Sequence, residues 1–161
     1  MSNMKGFADA VALRRVLQKY VDQRVAVLGP PCVGKSTILR HIPGAMDMDI
    51  ILFSQLSPAE KLVVFQKPWS SPVGKEMTRL ANSRIVVLPG HPVFATVVIK
   101  VDFIIYLKIY DELLLKRVMF RQERQQSFGD VKGIQLQLEA DIQKSGILSV
   151  EYVLTEENQW H

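Results

Sequence analysis

The sequence contains one cysteine, Cys32, in 161 residues, so no disulfide can close within the chain and nothing in the composition argues for secretion. It has no apolar run near the ~20 residues that a membrane-spanning helix needs. Its longest runs, such as Ile85 to Leu88, are far shorter. Met1 to Tyr20 lacks both a continuous apolar core and a small-residue cleavage site, which argues against a secretory signal. Aromatic residues make up 8% and do not interleave with a basic stripe, so nucleic acid is not an expected partner. No internal repeat, low-complexity tract or Gly/Ser/Pro-rich linker divides the chain. These absences lead to the expectation of a single domain over residues 1–161, in the cytoplasm, without a membrane partner, as a monomer or a homodimer.

What is present is a foldable composition: 48% hydrophobic and 22% charged residues, with a net charge of +4 that suits an anionic ligand. Strand and helix patterns alternate. Arg24 to Leu28 (RVAVL) is a short β-branched run ending at Gly29, the pattern of a buried parallel strand. Further strands are expected within residues 45–53, at Arg84 to Leu88 (RIVVL), at Val101 to Leu107 (VDFIIYL) and at Val150 to Leu154. Helical periodicity is read over Phe7 to Val21, as an N-terminal helix within residues 1–22 packed on the domain. It recurs at Lys35 to His41, from Ser57-Pro58-Ala59-Glu60 onward, at Val73 to Asn82, from Asp111 as cap to about Gln126, and at Val131 to Lys144. The alternation predicts an α/β domain with a mainly parallel sheet.

Gly29-Pro30-Pro31-Cys32-Val33-Gly34-Lys35-Ser36 satisfies the pattern G-x-x-x-x-G-K-[ST] at every fixed position, directly after a strand pattern and directly before a helix. Gly29 and Gly34 allow the backbone to wrap closely around a phosphate, and successive N–H groups then form an anion nest. Lys35 supplies charge to the β- and γ-phosphates, and the Ser36 hydroxyl is a hard oxygen ligand for magnesium. Cys32 and Val33 line the loop, and Thr37 supports the phosphates. ATP and Mg2+ are therefore the expected cofactors.

Asp47-Met48-Asp49 follows the P-loop helix. On an extended segment, residues i and i+2 face one side, so both carboxylates would point to the phosphates at the carboxyl end of the sheet. One would hold magnesium and the other would accept a proton from an acceptor hydroxyl, the bland alternative being a solvated acidic turn. His91, beside Gly90 and read as following a strand at the ligand-facing end, is a candidate acceptor contact or a surface residue. Arg117, Arg121 and Arg124 recur at i, i+4 and i+7, one helical face, which is either functional or a solvated basic stripe.

With these residues the sequence resembles the small P-loop kinases, most closely the shikimate kinase and gluconate kinase families, over roughly residues 24–154. GPPCVGKST at 29–37, DMD at 47–49 and VDFIIYLKIYDELLLKR at 101–117 carry the resemblance. It implies a three-layer α/β/α fold, a five-stranded sheet in the order 2-3-1-4-5, and a lid-bearing region at 111–131. It also implies an ATP-dependent transfer of the γ-phosphoryl group to a hydroxyl of a small molecule. By the same resemblance Lys35, Asp49 and Arg124 are catalytic, Asp47 joins Ser36 at magnesium, Arg117 stacks on the adenine, and Arg121 is a further nucleotide contact. Asp49, Gly90 and His91 are the acceptor-side candidates. The sequence departs from the family where Leu88-Pro89-Gly90-His91-Pro92 replaces a glycine-rich loop, and in its short lid segment, Gln125 to Val131. Two alternatives stand beside this reading: a nucleotide or polynucleotide kinase, and a nucleotide-binding regulatory or NTPase module without a small-molecule acceptor.

Overall fold

The computed structural model describes residues 10–31, 35–66, 70–120 and 127–154. Five strands form one parallel sheet in the order β2-β3-β1-β4-β5. They are β1 (Val25–Leu28), β2 (Met46–Asp47), β3 (Val93–Ala95), β4 (Phe103–Ile109) and β5 (Leu148–Leu154). The helices are α1 (Ala10–Lys19), α2 (Lys35–Leu39), α3 (Met48–Phe53), α4 (Pro58–Val64), α5 (Ser71–Arg84), α6 (Asp111–Phe120) and α7 (Phe128–Ser145). The expected fold class and strand order are those observed.

The two-residue period of a strand divides the core into two layers. Val25 and Val27 of β1, with Phe103, Ile105 and Leu107 of β4, face α1, α2 and α6 through Leu13, Leu17, Ile38, Leu114 and Val118. Ala26 and Leu28, with Ile104 and Tyr106, face α3, α4 and α5 through Met48, Leu52, Val64, Met77 and Leu80. Helix α7 contributes Val131 to the first layer and Leu138 to the second. Burying such a side chain contributes roughly 1.5–3 kcal/mol each, which is why all four residues of β1 are apolar.

Helix starts follow local chemistry. Ser57 and Glu60 form a reciprocal capping box at α4, with Pro58 in the first turn. Ser127 and Asp130 form another at α7, which therefore starts at Phe128, ahead of the expected Val131. Asp111 was expected as a cap; it lies inside the first turn of α6 and pairs with Lys132 Nζ at 2.7 Å.

The expected strand at Arg84 to Leu88 is not formed. Arg84 closes α5, where its guanidinium meets Glu60 Oε2 at 2.9 Å and Gln55 O at 2.9 Å. The apolar run behind it is not a strand: Val86 is 80% and Leu88 55% exposed, while Val87 is buried and packs into the second core layer. The third strand is Val93–Ala95 instead, beyond a tight turn in which Leu88 and His91 pair across Pro89-Gly90. Ion pairing and the turn thus outweigh β propensity at 84–88.

At the amino end of the sheet, Arg24 and Asp102 join the starts of β1 and β4. Arg24 N donates to Asp102 Oδ2 at 3.0 Å, and its Nη2 to Oδ1 at 2.9 Å. The Arg24 side chain, then its backbone N–H, holds the Asp102 carboxyl down at about 2, below its ordinary 3.8.

Candidate functional site

The loop after β1 leaves the carboxyl end of the sheet, where open α/β sheets bind ligands. Gly29 and Pro30 are buried, and Gly29 N donates to Ala95 O at 3.2 Å, which ties the loop entrance to β3. Lys35 opens α2 and donates from Nζ to Gly29 O and Pro30 O, both at 2.8 Å. These two bonds fix the ammonium at the loop mouth. Cys32, Val33 and Gly34, and the side chains of Ser36 and Thr37, lie outside the described residues.

Asp47 ends β2, paired with Phe94 of β3, and is half-buried. The extended segment expected over residues 45–53 stops here, because α3 begins at Met48 and runs to Phe53. Asp47 is its N-cap and accepts from Asp49 N through Oδ1 at 2.9 Å. Asp47 and Asp49, expected to share a strand face, therefore do not. Asp49 is exposed in the first turn of α3, and Asp47 carries a structural duty as well as any ligand contact. The cap uses Oδ1, and a carboxylate has a second oxygen for a metal-bound water.

Gly90 and His91 are also corrected. They precede β3, whose first residue, Val93, is level with Ala26 and Met46, so they lie at the amino end of the sheet. His91 Nδ1 sits 3.1 Å from Gly44 O, and both glycines of this turn pair have positive φ, +78° at Gly44 and +82° at Gly90. The residue that follows β3 at the ligand-facing end is Thr96. Arg117 is half-buried on α6; Arg121 and Arg124 lie outside the described residues.

Two polar arrangements that support this end of the sheet have no motif in the sequence. Gln135 is 1% exposed; its Nε2 donates to Ile109 O at 2.8 Å and its Oε1 accepts from Lys132 Nζ at 2.9 Å. Tyr106 Oη donates to Glu139 Oε2 at 2.7 Å, and Lys108 Nζ donates to the same oxygen at 2.9 Å. Burial, then the Glu139 carboxylate, pushes the Tyr106 hydroxyl well above its usual range, so it remains a donor. Their only signal in the sequence is polar residues on the inward face of an otherwise apolar strand and helix.

Among the described residues no group of three His, Cys, Asp or Glu is placed to hold a metal. A magnesium ion here would be carried in on nucleotide phosphates and would take one or two protein oxygens, the usual mode for that ion. Asp47, which ends β2 on this edge, would supply one of them; Ser36, the other residue expected at magnesium, has its side chain outside the described residues. Among the described residues no helix is long and apolar enough to cross a membrane.

A parallel 2-3-1-4-5 sheet with helices on both faces, and a G-x-x-x-x-G-K-S loop leaving the carboxyl end of its central strand, define a protein of the P-loop α/β fold class. No protein-family model matches the chain, and no match is found among the curated proteins.

Proposed function

We propose that this protein is an ATP-dependent phosphotransferase that moves the γ-phosphoryl group to a hydroxyl of a small molecule. One observation carries the reading: Lys35, opening α2 after the central strand, and Asp47, at the end of β2, both stand on the carboxyl edge of one sheet. A cation for phosphate and a hard oxygen for magnesium on that edge are what positioning and charge stabilisation of phosphoryl transfer require. In this reading Lys35 neutralises the β- and γ-phosphates, Ser36 and Asp47 hold magnesium, and Asp49 receives the acceptor proton. Arg117 stacks on the base, Arg121 is a further nucleotide contact, and Arg124 closes over the transferring group. Thr96 replaces Gly90 and His91 as the contact offered by the end of β3.

A nucleotide-binding module without transfer is the second reading, favoured by the position of Gly90 and His91 at the opposite end of the sheet, which takes two acceptor contacts away. Fold alone decides neither, since this fold hosts many functions.

The test is ADP formation from Mg·ATP with a panel of hydroxylated acids, sugars, nucleosides and nucleotides, using Lys35→Ala as control. Turnover that depends on one acceptor and disappears in the variant supports phosphotransfer. ATP binding without acceptor-dependent ADP favours the binding module.

A further inference from the structure

The neighbouring strands β1 and β3 end level with one another, Leu28 beside Ala95, yet their chains leave toward opposite faces of the sheet. Beyond β1 the loop leads into α2, whose Ile38 packs in the first core layer. Beyond β3 the chain turns the other way, and Val97, Ile99 and Val101 pack in the second layer. Such a parting between adjacent strands is the switch point at which open α/β sheets bind ligands. A hydrogen bond from Gly29 N to Ala95 O, 3.2 Å long, ties the two exits together.

The β3 side of this parting is hollow. Residues 96–102 return to the amino end, where Phe103 starts β4 level with Val25. A parallel crossover normally takes about a dozen residues or more and usually contains a helix. This one contains none. In its place is a groove of about 820 Å3 between α5 and α7, with Thr96 to Lys100 along one side. That volume falls among those of small-molecule sites, about 300–1,000 Å3.

Both walls carry the groove past the carboxyl end of β1. Asn82 of α5 is level with the middle of the crossover, donating from Nδ2 to Val98 O at 3.1 Å and accepting at Oδ1 from Lys100 N at 2.8 Å. Ser71 opens the same helix, about 16 Å nearer the carboxyl side. On α7, Gln135 Nε2 donates to Ile109 O at 2.8 Å. Ile109 lies beyond Tyr106, the residue level with Leu28, so this contact stands about 10 Å above the end of β1. Gly129 and Gly133, earlier in α7, line the same opening. The groove therefore opens on the carboxyl side beside Thr96, where the loop from Gly29 leaves the sheet. Charges of both signs line it, Lys75 and Lys100 with Asp130 and Asp141, so neither an anion nor a cation is favoured. Val97, Ile99, Ile134 and Leu138 supply apolar lining.

We propose that this groove holds the acceptor of the transferred phosphoryl group, an uncharged alcohol with an apolar body, whose hydroxyl end emerges beside Thr96. The proposal rests on the phosphotransfer reading above. The hydroxyl oxygen bonds to the γ-phosphorus, and the bond from that phosphorus to the β,γ-bridging oxygen breaks. ADP leaves with that electron pair, and the hydroxyl proton passes to Asp49. The nucleotide is thus held from the α2 face and the acceptor from the α5–α7 face, and the two meet at the switch point. An apolar body filling the groove also displaces water from beside the reacting groups.

Naphthylethanol is the probe, with ethylnaphthalene as the control that lacks the hydroxyl. The expected result is saturable binding read by naphthyl fluorescence, and conversion by Mg·ATP to the phosphate ester with one ADP formed per ester. Ethylnaphthalene should bind and yield no ADP. A Cβ added at Gly133 meets nothing within 4 Å, so the side chain of Gly133→Leu enters open groove space with the circular dichroism spectrum unchanged. In that variant the dissociation constant and the KM for naphthylethanol should both rise about tenfold or more. No saturable binding up to about 1 mM, or constants within about twofold of wild type in Gly133→Leu, overturns the proposal and leaves phosphotransfer to the wider acceptor panel. Binding in the groove without ester formation overturns it too, because the groove then serves another ligand. The phosphotransfer reading itself falls only if no acceptor of that panel gives acceptor-dependent ADP.

Discussion

Lys35 Nζ and Gly29 O lie 2.8 Å apart, so the loop's own entrance residue holds the lysine that the phosphate reading needs. Removing that ammonium should remove a charge-assisted contact to phosphate worth about 1.5–3 kcal/mol. Lys35→Ala is expected to bind Mg·ATP roughly 10- to 150-fold more weakly with an unchanged circular dichroism spectrum. Calorimetric affinity within a factor of about two of wild type would remove the basis for a phosphate site.

Asp47 combines a helix cap with a candidate metal contact, and two substitutions separate these duties. Asp47→Ala loses the cap and should cost about 1 kcal/mol in urea denaturation. Asp47→Asn retains a capping oxygen and should lose little stability. Both should reduce the dependence of ATP affinity on magnesium. If the asparagine variant keeps the full dependence, Asp47 is a cap and nothing more.

Two glycines should respond in opposite directions to alanine. Gly44 has φ +78°, and its added Cβ would stand 2.9 Å from Gly90 O, so Gly44→Ala should destabilise by about 1–3 kcal/mol. Gly133 lies within α7 with open space beside it, so Gly133→Ala should stabilise by about 0.5–1 kcal/mol. Denaturant midpoints with unchanged slopes would check both. A Gly44→Ala protein as stable as wild type would show that the turn readily rearranges.

The Arg24–Asp102 pair sets an acid response. Its carboxyl titrates lower in the folded protein, about 2, than the ordinary 3.8, so the folded state binds fewer protons than the unfolded chain between those values. Its contribution is present above about pH 4 and is lost as pH falls toward 2. Asp102→Asn should flatten the loss of stability across that window relative to wild type, as read by denaturation at a series of pH values. Parallel curves would mean that the pair does not couple folding to pH.

The sequence made the fold class legible because its central strand, phosphate loop and the long strand β4 each carry a strong local signal. It misplaced the third strand because Ile85 to Leu88 (IVVL) is apolar and more β-branched than Val93 to Ala95 (VFA), so local pattern favours the wrong segment. Only tertiary contacts, Arg84 with Glu60 among them, decide which one enters the sheet. That choice also moved His91 to the other end of the molecule. The acidic pair was misjudged for a related reason: a two-residue strand is too short to show a period, and the helix after it starts on the capping oxygen of Asp47. Asn82 and Gln135 gave only the faint signal of a polar residue within a helix, since a single amide gives no hint of the backbone it will bind.

Residues 96–102 join β3 to β4 without a helix, which bears on how the molecule assembles. Because residues 96–102 tether β3 to β4 so closely, bringing those two strands to a common level costs little chain entropy, and each halving of a loop lowers that cost by about 0.6 kcal/mol. Yet β1 lies between them in the finished sheet and comes from some 65 residues earlier in the chain, Leu28 to Val93. The later pair is the cheaper one to bring together, and it presents a slot one strand wide. The costlier closure is therefore the one that seats β1 beside β3, and it is also the one that ties Gly29 to Ala95.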